Sequence, residues 1–214
     1  MSRKPLAGTK HLFLVEGQPE EGVVRAILRR DGHDKSATQI RCLKGVTNLK
    51  SVLRTLVSEP EWHELGSVTV VVDADDDPEA RSTSVWNALG TECRLPDAEV
   101  DRGKKDGYVV SGSIRYAVWL SPGDGSHGTI EDMVVATIEH DVRDRIMAFW
   151  KQGQKDPNEA EPTAKAIVAI WLALKTNKGI GLRTAFERAL IDLDHPAFEP
   201  LRELIRTQLG HRRS

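Results

Sequence analysis

Short apolar runs alternate with amphipathic stripes along most of this chain. Residues 11–15 read HLFLV, an apolar run rich in strand formers. EGQPEEG follows, and then VVRAILRR, where Val23, Val24, Ile27 and Leu28 recur at helical spacing. The pattern predicts strand, loop, helix. SATQIRC (36–42) predicts a weaker second strand, and Thr47 is placed to cap a helix whose stripe is Leu49, Val52, Leu53 and Leu56. SVTVVVD (67–73) is the strongest strand signal; its apolar residues occupy both faces, as a central parallel strand requires. A helix is expected to begin near Pro78 and to carry Val85, Trp86 and Leu89.

The polar stretch 96–107 predicts a loop, and YVVSGS and IRYAVWL predict two further strands. SPGDGSHG (121–128) is a loop by composition. Thr129 then opens one expected long helix, TIEDMVVATIEHDVRDRIMAFW, and GQKDPNEAEP reads as a linker. After Pro162 the patterns AKAIVAIWLALK, LRTAFERALIDL and FEPLRELIRTQL are helical. Alternating β and α followed by α alone predicts an α/β fold: a mainly parallel sheet flanked by helices, with a C-terminal helical extension. The expected division is an α/β domain over 1–150 and a helical extension over 151–214 packed on it. There is no internal repeat and no low-complexity tract.

Composition narrows the function classes. With 39% hydrophobic residues the chain can bury a core, and its net charge of −2, from 30 basic and 32 acidic residues, argues against a bulk electrostatic nucleic-acid binder. Two isolated cysteines, Cys42 and Cys93, make neither a zinc motif nor a disulfide framework and read as small buried hydrophobes. No apolar run is long enough to span a bilayer, and MSRKPLAGTK lacks the apolar core of a signal peptide, so a cytoplasmic protein with no membrane association is expected.

Candidate chemistry lies at predicted strand ends. Glu16 directly follows the first strand, and Asp73 and Asp75 close the strongest one as V-D-A-D. In an α/β sheet ligands bind at the carboxyl ends of strands. Crowded carboxylates resist ionisation unless a cation is near, and Mg²⁺ takes one or two carboxylates plus waters and phosphate oxygens. On an extended backbone the D-x-D spacing directs both side chains to one side. A lone D-x-D is more often a polar strand end; joined to Glu16 at a second strand end it is a stronger signal. Asp76 and Asp77 either add charge or lead into the Pro78 helix, and His127 reads as an ordinary loop histidine.

The blocks LFLVEG and VTVVVDADDD resemble the Toprim domain of primases, type IA and type II topoisomerases, recombination-repair proteins and OLD-family nucleases, over roughly residues 10–135. LFLVEGQPEEGVVRAIL, CLKGVTNLKSVL, WLSPGDGSHGTIEDMV and AKAIVAIWLALKTNKGIGLRTAFERAL resemble the small Toprim-like proteins of the DUF3226 family. OLD-type Toprim nucleases carry E-x3-E, D-x-D, S-x-E and a lysine. Here Glu16 and Glu20 match the first, Asp73 and Asp75 the second, Thr129 and Glu131 the third with a hydroxyl-preserving change, and Lys165 stands for the lysine.

The resemblance implies a Mg²⁺- or Mn²⁺-dependent nuclease acting on DNA or RNA, an effector in anti-phage defence. Glu16, Glu20, Asp73, Asp75 and Glu131 would be metal ligands, and Glu16, Asp73, Asp75 and Lys165 catalytic. Glu16 and Glu20 are expected to share one helical face at i, i+4. Thr129 can cap its helix, and Glu131 and Asp132 suit a first turn regardless of function. The resemblance also implies an alternative, a non-catalytic or conditionally active subunit controlled by a separate ABC-type ATPase, because the chain has no G-x-x-x-x-G-K-[ST] motif of its own. Topoisomerase chemistry needs a nucleophilic tyrosine, and Tyr108 and Tyr116 both fall in predicted strands. The chain has neither the zinc-ribbon cysteines nor the length of a primase. A HAD phosphatase would carry its aspartate where Glu16 stands.

Overall fold

The computed structural model describes residues 5–33, 36–123, 125–153 and 161–210. Five strands form one sheet: β1 (His11–Val15), β2 (Thr38–Cys42), β3 (Ser67–Asp73), β4 (Tyr108–Ser111) and β5 (Ile114–Ser121), in the order β2-β1-β3-β5-β4. All neighbours are parallel except β4, which pairs antiparallel with β5 across a tight hairpin. β3 occupies the centre of the sheet, and every residue before Asp73 is buried, as its two-sided apolar pattern requires.

Side-chain alternation divides the interior into two layers. Phe13, Val15, Val71 and Trp119 face one side, where they pack with helices α1 (Gln18–Arg30), α5 (Ile130–Ala136), α7 (Ala164–Thr176), α8 (Leu182–Glu187) and α9 (Glu199–Gln208), and with Ile146 of α6 (His140–Gly153). Leu12, Leu14, Val68, Val70, Val72 and Tyr116 face the other, against α2 (Leu49–Val57), α3 (Pro78–Cys93) and α4 (Asp97–Asp106). The C-terminal helices therefore share a hydrophobic cluster with α1 and the sheet. Four tryptophans, Trp62, Trp86, Trp119 and Trp171, are buried in these layers. Among the described residues no helix is long and apolar enough to cross a membrane.

Several local expectations are corrected. The polar stretch 96–107 is not a loop but contains α4. It buries only Val100 and Gly103, with Asp97 and Glu99 in its first turn and Lys104 and Lys105 in its last. Its close approach to α3 depends on glycine, since a Cβ on Gly103 would lie 2.5 Å from the Trp86 ring. The long helix expected from Thr129 is two helices. Thr137 donates its hydroxyl to the Val134 carbonyl (2.8 Å), the turn tightens, and a new helix starts at His140. Thr47 does not cap α2. It lies in a 3₁₀ turn (Val46–Asn48), and the Asn48 amide instead donates to the carbonyls of Leu43 and Lys44. The helix expected over LRTAFERALIDL ends at Glu187, with Ala189 in the left-handed region at φ 54°. The expected linker falls mostly on 154–160, outside the described residues.

Candidate acidic site at the carboxyl edge of the sheet

Parallel pairing brings the ends of β1 and β3 side by side, so the residues that follow them share one edge. The Glu16 amide donates to the Val71 carbonyl (3.0 Å), and the Glu16 carbonyl accepts from the Gly45 amide (3.1 Å). Its backbone is thus held between β3 and the loop after β2. Its side-chain Oε2 accepts from the Asp73 amide (3.3 Å). Asp73 is the last residue of β3, and its Oδ1 accepts from the Ile130 amide (3.1 Å), the first residue of α5. That bond anchors the positive end of α5 to the sheet edge and places Glu131, in the same first turn, beside it.

Glu20 enters from α1. It is 2% exposed, and its carboxylate turns back to accept from the Gly17 amide (2.7 Å). Glu16 precedes α1, so the two glutamates do not share a helical face; they approach because Glu20 folds back over the helix start. Thr129 is the N-cap of α5 and forms a capping box with Asp132, whose carboxylate accepts from the Thr129 amide (2.8 Å) and hydroxyl (2.9 Å).

Four carboxylates act on one another here. Burial, and next the charge of Glu20, push the Asp73 carboxyl up to about 7, with Glu131 and Glu16 adding to the rise and the Ile130 amide opposing it. Burial also pushes Glu20 up to about 7; its own amide and that of Gly17 oppose this, while Glu131 and Glu16 contribute repulsion. Among the described residues, no cation contributes to either shift.

Asp75 stands apart. β3 ends at Asp73, and Asp75 takes a left-handed backbone at φ 51°, so the alternation that would align the D-x-D side chains does not continue. Its backbone exchanges two hydrogen bonds with Gly128 (3.2 and 3.1 Å), and its carboxylate pairs with Arg81 in α3. Asp77 serves its own helix, where its carboxylate caps α3 by accepting from the Ala80 amide (2.9 Å). Lys165 is exposed in the first turn of α7 and is not among the groups that shift Asp73 or Glu20. His127 is exposed as well. The buried hydroxyl of Tyr116 is pushed up in pKa, which does not suit a nucleophile, and burial pushes the Cys93 thiol up to about 12.

Among the described residues, no group of three or more His, Cys, Asp and Glu side chains is drawn together as a ready-made metal cage. The oxygen donors nonetheless fit Mg²⁺ or Mn²⁺ chemically, because Mg²⁺ commonly takes only one or two carboxylates and completes its shell with water. The sequence patterns singled out neither Ser121 nor Arg81. Ser121 is the Cα partner of Asp73 on β5, and Arg81 meets Asp75 only through the turn between β3 and α3.

A mainly parallel α/β sheet with mutually repelling carboxylates at its carboxyl edge defines an α/β protein with an acidic edge site. The family model described as "Protein of unknown function (DUF3226)" matches residues 10–209, and the chain belongs to that family. No curated protein matches the chain. Among solved structures, the C-terminal region of the Burkholderia pseudomallei OLD protein is similar at 16% identity, over 93% of this chain and 98% of that one, with a TM-score of 0.47. The C-terminal region of the Xanthomonas campestris pv. campestris OLD protein is similar at 14% identity, over 95% and 98%, with a TM-score of 0.46.

Proposed function

We propose that this protein is a Toprim-type nuclease that hydrolyses phosphodiester bonds of DNA or RNA with Mg²⁺ or Mn²⁺. The observation that carries this is the convergence of Glu16, Glu20, Asp73 and Glu131 from two strand ends and two helix starts on one edge of the sheet. Asp73 and Glu20 are both raised to about 7, first by burial and then by neighbouring carboxylates, and among the described residues no arginine or lysine opposes the rise. A divalent cation supplies the missing positive charge and favours the ionised carboxylates. Glu16 and Asp73 would hold it, with Glu20 and Glu131 beside them and Asp75 joining once released from Arg81. A bound divalent ion polarises a phosphate oxygen and lowers the pKa of a bound water. The chain's own part is to orient the carboxylates from two strand ends and two helix starts. Lys165 is the proposed partner of charge developing on the phosphate. An anti-phage effector role, expected from the sequence resemblance, rests on this chemistry.

One observation favours a second function, that of a conditionally active subunit under a separate ABC-type ATPase. Asp75, half of the D-x-D pair, is held by the Arg81 guanidinium and by a left-handed backbone away from the line of β3. In this reading the site is completed only when Asp75 exchanges Arg81 for a cation.

The deciding experiment is cleavage of a panel of single- and double-stranded DNA and RNA with Mg²⁺ or Mn²⁺, by wild type and Asp73→Asn. Wild type should cleave at least one substrate, and Asp73→Asn should lose about 10²-fold or more, on the order expected when an electrostatic element of catalysis is removed. Equal rates would place the activity elsewhere. Binding of Mn²⁺ by wild type with no cleavage of any substrate would favour the conditional subunit.

A further inference from the structure

We infer that Ser121 is an additional positioning residue of this site, its hydroxyl holding a water ligand of a divalent cation bound at Asp73. The inference rests on the metal reading above and adds a residue that the carboxylate motifs do not contain.

Three observations converge on it. Ser121 is the last residue of β5 and the direct Cα partner of Asp73 in the parallel β3–β5 register. Registered residues of parallel strands project to the same face, so both side chains lie on the face of Trp119, Val71 and α5. Ser121 is fully buried, and its Oγ has no hydrogen-bond partner among the described residues. Buried hydroxyls are rarely left unpaired, because their lost hydration must be replaced by a protein group or an ordered water. Here the hydroxyl belongs to the strand neighbour of Asp73, whose carboxylate, among the described residues, accepts an amide at Oδ1 alone. A serine hydroxyl both donates and accepts, so a cation-bound water is a partner that it can take. Groups that orient the waters and carboxylates of a metal site in this way contribute strongly to its affinity.

The fold supplies a control. Thr69, on β3 and on the same face as Asp73, also has a fully buried Oγ without a partner among the described residues. It lies four residues back from the edge, about 13 Å along the strand, too far to reach the cation.

The test is Mn²⁺ binding by the full chain, read by electron paramagnetic resonance and by the Mn²⁺-dependent rise in melting temperature, for wild type, Ser121→Ala and Thr69→Val. Ser121→Ala should bind Mn²⁺ about 10–100-fold more weakly, while its metal-free melting temperature stays level or rises, because an unpaired buried hydroxyl has been removed. Thr69→Val should bind Mn²⁺ as wild type does. Equal affinities for wild type and Ser121→Ala overturn the inference and leave the metal reading standing. No Mn²⁺ binding by wild type overturns both. A metal-free Ser121→Ala protein that melts well below wild type also overturns it, since the hydroxyl then serves the fold. Equal weakening by Thr69→Val overturns it too, because the effect would not be local to the edge.

Discussion

Glu20 and Glu21 are neighbours in α1 and both are buried, yet they have opposite surroundings. Glu21 accepts from Arg25 (2.7 Å) and Arg183 (3.0 Å), so its charge is answered from its own helix and from α8. Among the described residues Glu20 has backbone amides as its partners, and burial pushes its carboxyl up to about 7. Glu21 therefore belongs to the packing of α1 on α8, and Glu20 to the acidic edge. The same contrast predicts how stability responds to pH. Glu20 and Asp73 are raised in the folded state, so the folded protein keeps protons that the unfolded chain has released. Their contribution is fully present below the ordinary carboxyl pKa of about 4 and is lost as pH rises through about 7. In the presence of a chelator, the part of the melting temperature set by these groups should fall across that window. Asp73→Asn should flatten the fall and match or exceed wild type at pH 8. Differential scanning calorimetry of both proteins from pH 5 to 8 checks this; equal slopes against pH for wild type and Asp73→Asn would refute the assignment.

Elements in this protein meet at glycines that sequence periodicity does not explain. Gly22 sits in the middle of α1, where glycine costs helix stability. Its reason is α8: a Cβ there would lie 2.8 Å from the Arg183 Cα, a backbone atom that cannot swing aside. Gly22→Ala should therefore destabilise despite its better helix propensity, by about 1–3 kcal/mol as for other overpacked contacts. Urea unfolding measures it; a stabilised variant would mean that α8 is not held against α1. Helix α4, whose sequence has the composition of a loop, belongs to the same scale. Its two buried positions are too few to register as a helical stripe, and its partner surface on α3, around Trp86 and Gly90, exists only after folding.

At the scale of the whole molecule, one hydrophobic layer joins the start of the chain to its end. Phe13, Val15 and Val71 of the sheet share it with Val168, Leu172, Phe186, Phe198, Leu201 and Ile205. Phe186 and Phe198 meet edge to face at 6.0 Å, and α8 lies along α1. A chain cut after residue 153 would expose the apolar face of α1 and of the sheet. It should lose cooperative unfolding and bind the dye ANS, as collapsed states without fixed packing do. A sharp thermal transition at or near the wild-type temperature would show instead that the first part folds alone.

Local pattern was enough for the central strand, the helix after Glu16, the Pro78 helix start and the α/β class, because each depends on periodicity and capping within a few residues. It was enough, too, to set Glu16 and Asp73 at strand ends, since a both-face apolar run must stop where the chain leaves the core. The order β2-β1-β3-β5-β4 lay beyond it, because strand neighbours are chosen by packing between segments far apart in sequence. The same is true of the site's detail. Asp75 is turned to Arg81 by a left-handed residue and a bridge to Gly128, and Ser121 comes beside Asp73 through the β3–β5 register. Which acids stand at the ends of the strands follows from local pattern; which of them meets an arginine, as Asp75 does, and which accept backbone amides, as Glu16, Glu20 and Asp73 do, follows from long-range packing, because a carboxylate's partner is whatever that packing brings within hydrogen-bonding distance.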